Sequence, residues 1–177
     1  IMEKVFEFYR KSVTGRRNNR GGTYRINMLP TTCHVYFGDV MIASPNGRHA
    51  HKPVSEGISP EKGADVNGPT AAANSVSRLD HFIASNGTLF NQKFHPSALS
   101  GREGLEKFVG LIQSYFDQKG SHMQFNVVSR ETLLDAQKHP EQYKDLVVRV
   151  AGYSAFFTEL CKDVQDEIIS RTMLTHF

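Results

Sequence analysis

The sequence has only two cysteines, Cys33 and Cys161, far apart in the chain. That excludes a disulfide framework and a multi-cysteine zinc pattern, and it makes a reducing cytoplasm the default compartment. No apolar run approaches the roughly 20 residues needed to cross a bilayer, and the first residues carry no signal-peptide pattern. Charge of one sign is also scarce. The formal net charge is +3, and the one basic cluster, Arg16, Arg17 and Arg20 around two asparagines, has no aromatic interleaving. It reads as a solvated loop, so no nucleic-acid or membrane partner is expected. Eight histidines are present, but none forms an i, i+4 helical pair with a third ligand, so no metal site is expected. Each cysteine reads as a small buried hydrophobe.

What remains is ordinary globular composition, 39% apolar and 22% charged over 177 residues. The chain opens at Ile1 inside helix-like spacing, which reads as truncation upstream. Residues 2–12 suggest a short helix, and 34–42, rich in β-branched and aromatic residues, a strand. Residues 43–69 are crowded with Gly, Pro, Ser and Asn; a loop this long inside a domain is often functional. Helical spacing returns over 70–82. Residues 88–94 alternate as a strand does. A helix is expected over 104–117, capped by Gly120, then a strand over 122–128. Ser129 or Thr132 opens a further helix that ends before His139-Pro140. An extended run from Leu146 to Ala151 delivers the chain to Gly152, after which 155–160 and 164–169 resume helical spacing. The alternation of strands and helices predicts an α/β fold.

Gly152, between an extended run and a helix, is on spacing alone a tight turn where a Cβ would not fit. The surrounding residues add more. The run Arg149-Val150-Ala151-Gly152-Tyr153-Ser154-Ala155-Phe156-Phe157, with Gln165-Asp166-Glu167-Ile168-Ile169 and Arg171-Thr172 after it, resembles the C-terminal signature of glycyl radical enzymes. Pro30-Thr31-Thr32-Cys33-His34-Val35-Tyr36-Phe37-Gly38, Gly68-Pro69-Thr70-Ala71, Gln124-Phe125-Asn126-Val127-Val128 and Asp135 to Glu141 resemble segments of the same family, the pyruvate formate-lyase superfamily, in its dehydratase branch. The likeness runs from about Tyr24 to the C-terminus.

The resemblance implies the C-terminal part of a ten-stranded α/β barrel over residues 1–50 and a glycyl radical domain over 51–177. It implies a lyase, of the kind that dehydrates hydroxyproline, glycerol or propanediol, with Gly152 as the radical carrier. No cofactor is bound; a separate activating enzyme with S-adenosylmethionine and an iron–sulfur cluster installs the radical, which passes to a cysteine outside this chain. A small-molecule substrate, a homodimer and anaerobic metabolism are also implied. Thr32 is a substrate-pocket candidate. Arg149, Tyr153 and Ser154 are expected to support the radical loop, Arg149 through an ion pair or hydrogen bond and Tyr153 by packing over the radical. Glycine suits the chemistry because a Cα radical must flatten to share its spin with the flanking amides, and a side chain would clash in that form. On this reasoning Gly152→Ala should fold and be inert. The alternative is a stand-alone glycyl radical protein that restores an oxygen-damaged partner.

Overall fold

A computed structural model describes all residues, Ile1–Phe177. Six helices, α1 (Met2–Val13), α2 (Cys33–Val40), α3 (Gly68–Val76), α4 (Gly101–Asp117), α5 (Arg130–Lys138) and α6 (Lys162–Ser170), surround five short strands. These are β1 (Asn91–Phe94), β2 (Gln124–Val127), β3 (Val147–Arg149), β4 (Ser154–Phe156) and β5 (Met173–Leu174). The α/β class is as expected. Strands β2, β1 and β5 form a parallel sheet in that order, with Asn91 opposite Gln124 and Phe94 opposite Leu174. Strands β3 and β4 form a separate antiparallel hairpin, Val147 opposite Phe156 and Arg149 opposite Ser154. No helix is long and apolar enough to cross a membrane.

Two apolar clusters hold these elements. One gathers Phe90 and Phe94 with Leu111 and Tyr115 of α4 and Ala72, Ala73 and Val76 of α3. The other gathers Val148 and Val150 with Leu133 of α5 and Val164, Ile168 and Ile169 of α6. Central strand β1 is buried along its whole length although its sequence, Asn-Gln-Lys-Phe, is mostly polar. A strand covered on both faces has no solvent side, which removes the alternation that the sequence pattern suggested. Its polar side chains instead bind backbone. Gln92 Nε2 donates to the Pro69 carbonyl at 3.1 Å, and Lys93 Nζ donates to the Ile168 and Ile169 carbonyls at 3.1 and 3.0 Å. Lys93 thereby adds a donor to carbonyls in the last turn of α6, where the Ile168 carbonyl also accepts from the Arg171 N–H at 3.4 Å.

Four segments depart from the sequence reading. Of the expected strand over 34–42, residues 34–40 are helical, not extended: His34, Val35 and Gly38 are buried at helical spacing, while Tyr36, Phe37 and Val40 lie exposed. Tertiary burial has overridden β propensity here. Helix α3 stops at Val76 instead of running to 82, and Phe82 is 93% exposed. The chain turns there because buried His81 bonds the Val76 carbonyl through Nε2 at 2.9 Å and Asp80 Oδ1 accepts from the Ile83 N–H at 3.0 Å. Residues 155–160 are not an α-helix but β4 followed by a 3-10 turn over Phe157–Glu159. Finally, Lys119, at φ +68°, takes the left-handed position after α4, and Gly120 does not cap it. Gly120 is required because a Cβ there would strike the Tyr115 ring.

The 43–67 stretch contains no helix or strand and is organised by a buried arginine. Arg48 donates to the carbonyls of Ile42, His49 and Lys52 at 2.5, 3.1 and 2.7 Å. Gly38 lets α2 approach this loop so closely that a Cβ would collide with the Lys52 backbone, whereas Gly110 of α4 has open space around it. Two alanine substitutions should therefore diverge in urea unfolding of the 177-residue chain. Gly38→Ala should destabilise by about 1–3 kcal/mol, and Gly110→Ala should stabilise by about 1 kcal/mol.

Candidate functional site

Gly152 sits at the tip of the β3–β4 hairpin, at φ +85°, a backbone conformation that suits the third position of a type II turn. It is exposed, and an added Cβ would meet Leu29 Cδ1 at 3.0 Å and Leu89 Cδ1 at 3.3 Å. The glycine thus lies between two extended segments, not between a strand and a helix, because β4 replaces the expected helical start. It adjoins an open cleft lined in part by Leu29, Leu89, His81, Thr88 and His122.

The hairpin is anchored on one side by side chains. Asn126 brackets Arg149: its Nδ2 donates to the Arg149 carbonyl and its Oδ1 accepts from the Arg149 N–H, both at 2.8 Å. This amide pair does for β3 what a neighbouring strand's backbone would do. Asn91 Nδ2 donates to the Val150 carbonyl at 3.2 Å. Arg171 donates to the same carbonyl at 2.7 Å and to that of Arg149 at 3.2 Å.

Arg171 is held by carboxylates. Glu167 accepts from its Nε and Nη2 at 3.2 to 2.8 Å, and Glu56 Oε2 lies in close contact with Nη2. Glu167 also faces Lys62 at 3.4 Å and His34 Nε2 at 3.5 Å. Although desolvation opposes it, the Arg171 charge, the facing His34 ring and the hydrogen bonds from Arg171 hold the Glu167 carboxyl well below its usual value. Burial, reinforced by the Glu167 charge, pushes Glu56 the other way, up to about 8. Oxygen and nitrogen ligand atoms of His34, Glu56 and Glu167 lie within 4.8 Å of one another. A divalent ion there would share the carboxylates with Arg171 and Lys62, so the chemistry of the cluster is that of a buried ion-pair network. Sequence spacing could not show this convergence, since the three residues come from α2, the long loop and α6.

The residues singled out from sequence fall as follows. Arg149 carries no ion pair; its guanidinium donates to Gln124 Oε1 at 3.1 and 2.6 Å and to Ser154 Oγ at 3.0 Å. Tyr153 is 38% exposed. Its phenol is raised above its ordinary value mainly by partial burial, with Cys161 and Tyr36 adding to the rise and the neighbouring Thr32 side chain opposing it. Thr32 is thereby placed beside the hairpin, at the N-cap of α2. Both cysteines are exposed, contrary to their reading as buried hydrophobes; Cys33 opens α2 and Cys161 precedes α6, so neither reaches a core. The residues that the sequence reading left without a role are Arg171, Glu167, Asn126 and Asn91. The first three lie inside the quoted signature segments, which was the available signal.

A hairpin whose glycine tip is exposed and whose entering strand is fixed by buried polar side chains defines a site built around one backbone carbon. The chain belongs to the glycyl radical family: the family model described as "Glycine radical" matches residues 54–158. It is 56% identical over 175 residues to trans-4-hydroxy-L-proline dehydratase of Clostridioides difficile, covering 99% of this chain and 22% of that protein. Among solved structures it superposes on the B12-independent glycerol dehydratase of Clostridium butyricum with TM-score 0.93 and 55% identity, covering 98% of this chain and 22% of that one. An enzyme of 1,2-propanediol dehydration in Roseburia inulinivorans gives TM-score 0.91 at 55% identity, again over 22% of its length. The chain therefore spans about a fifth of the relatives it matches.

Proposed function

We propose that this chain is the radical-bearing C-terminal portion of a dehydratase-type glycyl radical lyase, with the unpaired electron stored on Gly152. The observation that carries the reading is the placement of Gly152 inside the matched family segment, at an exposed hairpin tip whose left-handed backbone favours glycine. In the working enzyme a separate activating protein, using S-adenosylmethionine and an iron–sulfur cluster, removes one Gly152 hydrogen. The radical then takes a hydrogen atom from a cysteine elsewhere in the full protein, and that thiyl takes one from a small hydroxylated substrate, which loses water. The α/β chain forms the end of a ten-stranded barrel over 1–50 and the radical domain over 51–177, in a cytoplasmic, homodimeric enzyme. Thr32 approaches substrate, Arg149 and Ser154 brace the hairpin, and Tyr153 packs at its rim.

The test is anaerobic activation of the full-length protein followed by electron paramagnetic resonance. A doublet from the remaining Gly152 hydrogen is expected, collapsing to a singlet on α-deuteration of glycine. Admission of air should then cleave the chain at Gly152. A fully activated, anoxic sample with no signal, or a signal insensitive to glycine deuteration, would overturn the assignment.

A further inference from the structure

We infer that Arg171 is the positioning residue of the radical hairpin: its guanidinium fixes the carbonyls of Arg149 and Val150 and so aims Gly152. The inference rests on Gly152 being the radical carrier. Its structural basis is a bond that the hairpin does not make. In a closed Val150–Tyr153 turn, the Val150 carbonyl would accept from the Tyr153 N–H. Here the Val150–Tyr153 pair at the mouth of the turn is joined only by the Val150 N–H, which donates to the Tyr153 carbonyl at 2.9 Å. The Val150 carbonyl turns inward and accepts from Arg171 Nη2 at 2.7 Å and Asn91 Nδ2 at 3.2 Å. The preceding carbonyl, of Arg149, accepts from Arg171 Nη1 at 3.2 Å.

Arginine suits this task. Its planar fork reaches two successive carbonyls with separate nitrogens while Nε and Nη2 remain on Glu167. The guanidinium cannot swing, because Glu56 and Glu167 hold it from two segments and the side chain is 94% buried. The Val150 carbonyl belongs to the peptide plane shared with Ala151, the residue before the glycine. A tilt of that plane is transmitted through Ala151 to the Cα of Gly152. Hydrogen-atom transfer demands close approach of the two reacting atoms, and a misplacement of about 1 Å can cost about a hundredfold in rate. Arg171 touches no reacting atom and acts through the hairpin alone.

The experiment compares the activated full-length wild type with Arg171→Lys, which keeps the charge but cannot span both carbonyls. A second variant, Arg171→Met combined with Glu167→Gln, removes both members of the pair and leaves no lone buried carboxylate at that pair. It replaces the first if Arg171→Lys melts earlier than wild type. Radical per protomer is counted by electron paramagnetic resonance, and turnover is expressed per radical. At unchanged melting temperature, turnover per radical should fall at least tenfold, with KM within threefold of wild type. A folded variant matching wild type within twofold in both radical yield and turnover per radical would overturn the inference alone. A wild type that yields no doublet overturns the radical assignment and the inference with it.

Discussion

Alanine at position 152 should leave the activated full-length enzyme without a doublet and without measurable turnover, and it should also weaken the fold. The first effect follows from the chemistry: a methyl group would clash with the neighbouring peptides when the Cα flattens, and the abstractable hydrogen would be replaced or misplaced. The second effect qualifies the sequence reading, in which Gly152→Ala folds: the backbone and its neighbours set a cost. At φ +85° an L-residue costs about 1–2 kcal/mol. The methyl group would also press on Leu29 and Leu89 at 3.0 and 3.3 Å, and these flexible ends can yield by a few tenths of an ångström. The two effects are separable. Asparagine tolerates the left-handed region better than alanine, so Gly152→Asn should recover part of the stability lost in urea titration while remaining silent in electron paramagnetic resonance. Recovery of a doublet in either variant would place the radical elsewhere.

How much could be read in advance depended on whether the determining forces were local. Helices α4, α5 and α6 announced themselves through apolar periodicity and, for α5, through Ser129, whose Oγ accepts from the Thr132 N–H at 3.1 Å. Strand β3 was visible as an apolar run, and Gly152 as part of a signature. Two of the failures share one cause. Residues 34–42 have strand-forming side chains, yet His34 and Val35 are pulled inward by α6 and the long loop, contacts that lie far away in sequence. Residues 155–160 have helical spacing, but the hairpin claims the first of them for pairing with β3. Arg171 was visible as a residue of the signature and invisible as a clamp, because its partners Glu56, Arg149 and Val150 are separated from it by 21 or more positions.

The same clamp makes its two carboxylates unequal, and substitution should expose this. Glu167 is fully buried, is held below its ordinary value, and faces Arg171, Lys62 and His34. Its amide, Glu167→Gln, leaves buried cations without their counter-charge and should cost about 3–5 kcal/mol in urea unfolding of the 177-residue chain near pH 7. Glu56 is pushed up to about 8, so below that pH the folded chain favours its protonated form, which a glutamine resembles. Glu56→Gln should therefore change stability by no more than about 1 kcal/mol at pH 6. The pH profiles separate the two further. Glu167, with a lowered folded value, contributes stability above its unfolded value of 4.5, and that contribution is lost as pH falls below it. Glu56, with a raised folded value, contributes fully below 4.5 and loses that contribution as pH rises through about 8. Between pH 5 and 8 the wild-type chain should thus lose stability through Glu56, and Glu56→Gln should flatten that slope. Equal costs for the two amides at pH 6, or an unchanged slope in Glu56→Gln, would show that the proton is not held on Glu56 and that Arg171 is shared evenly between both carboxylates.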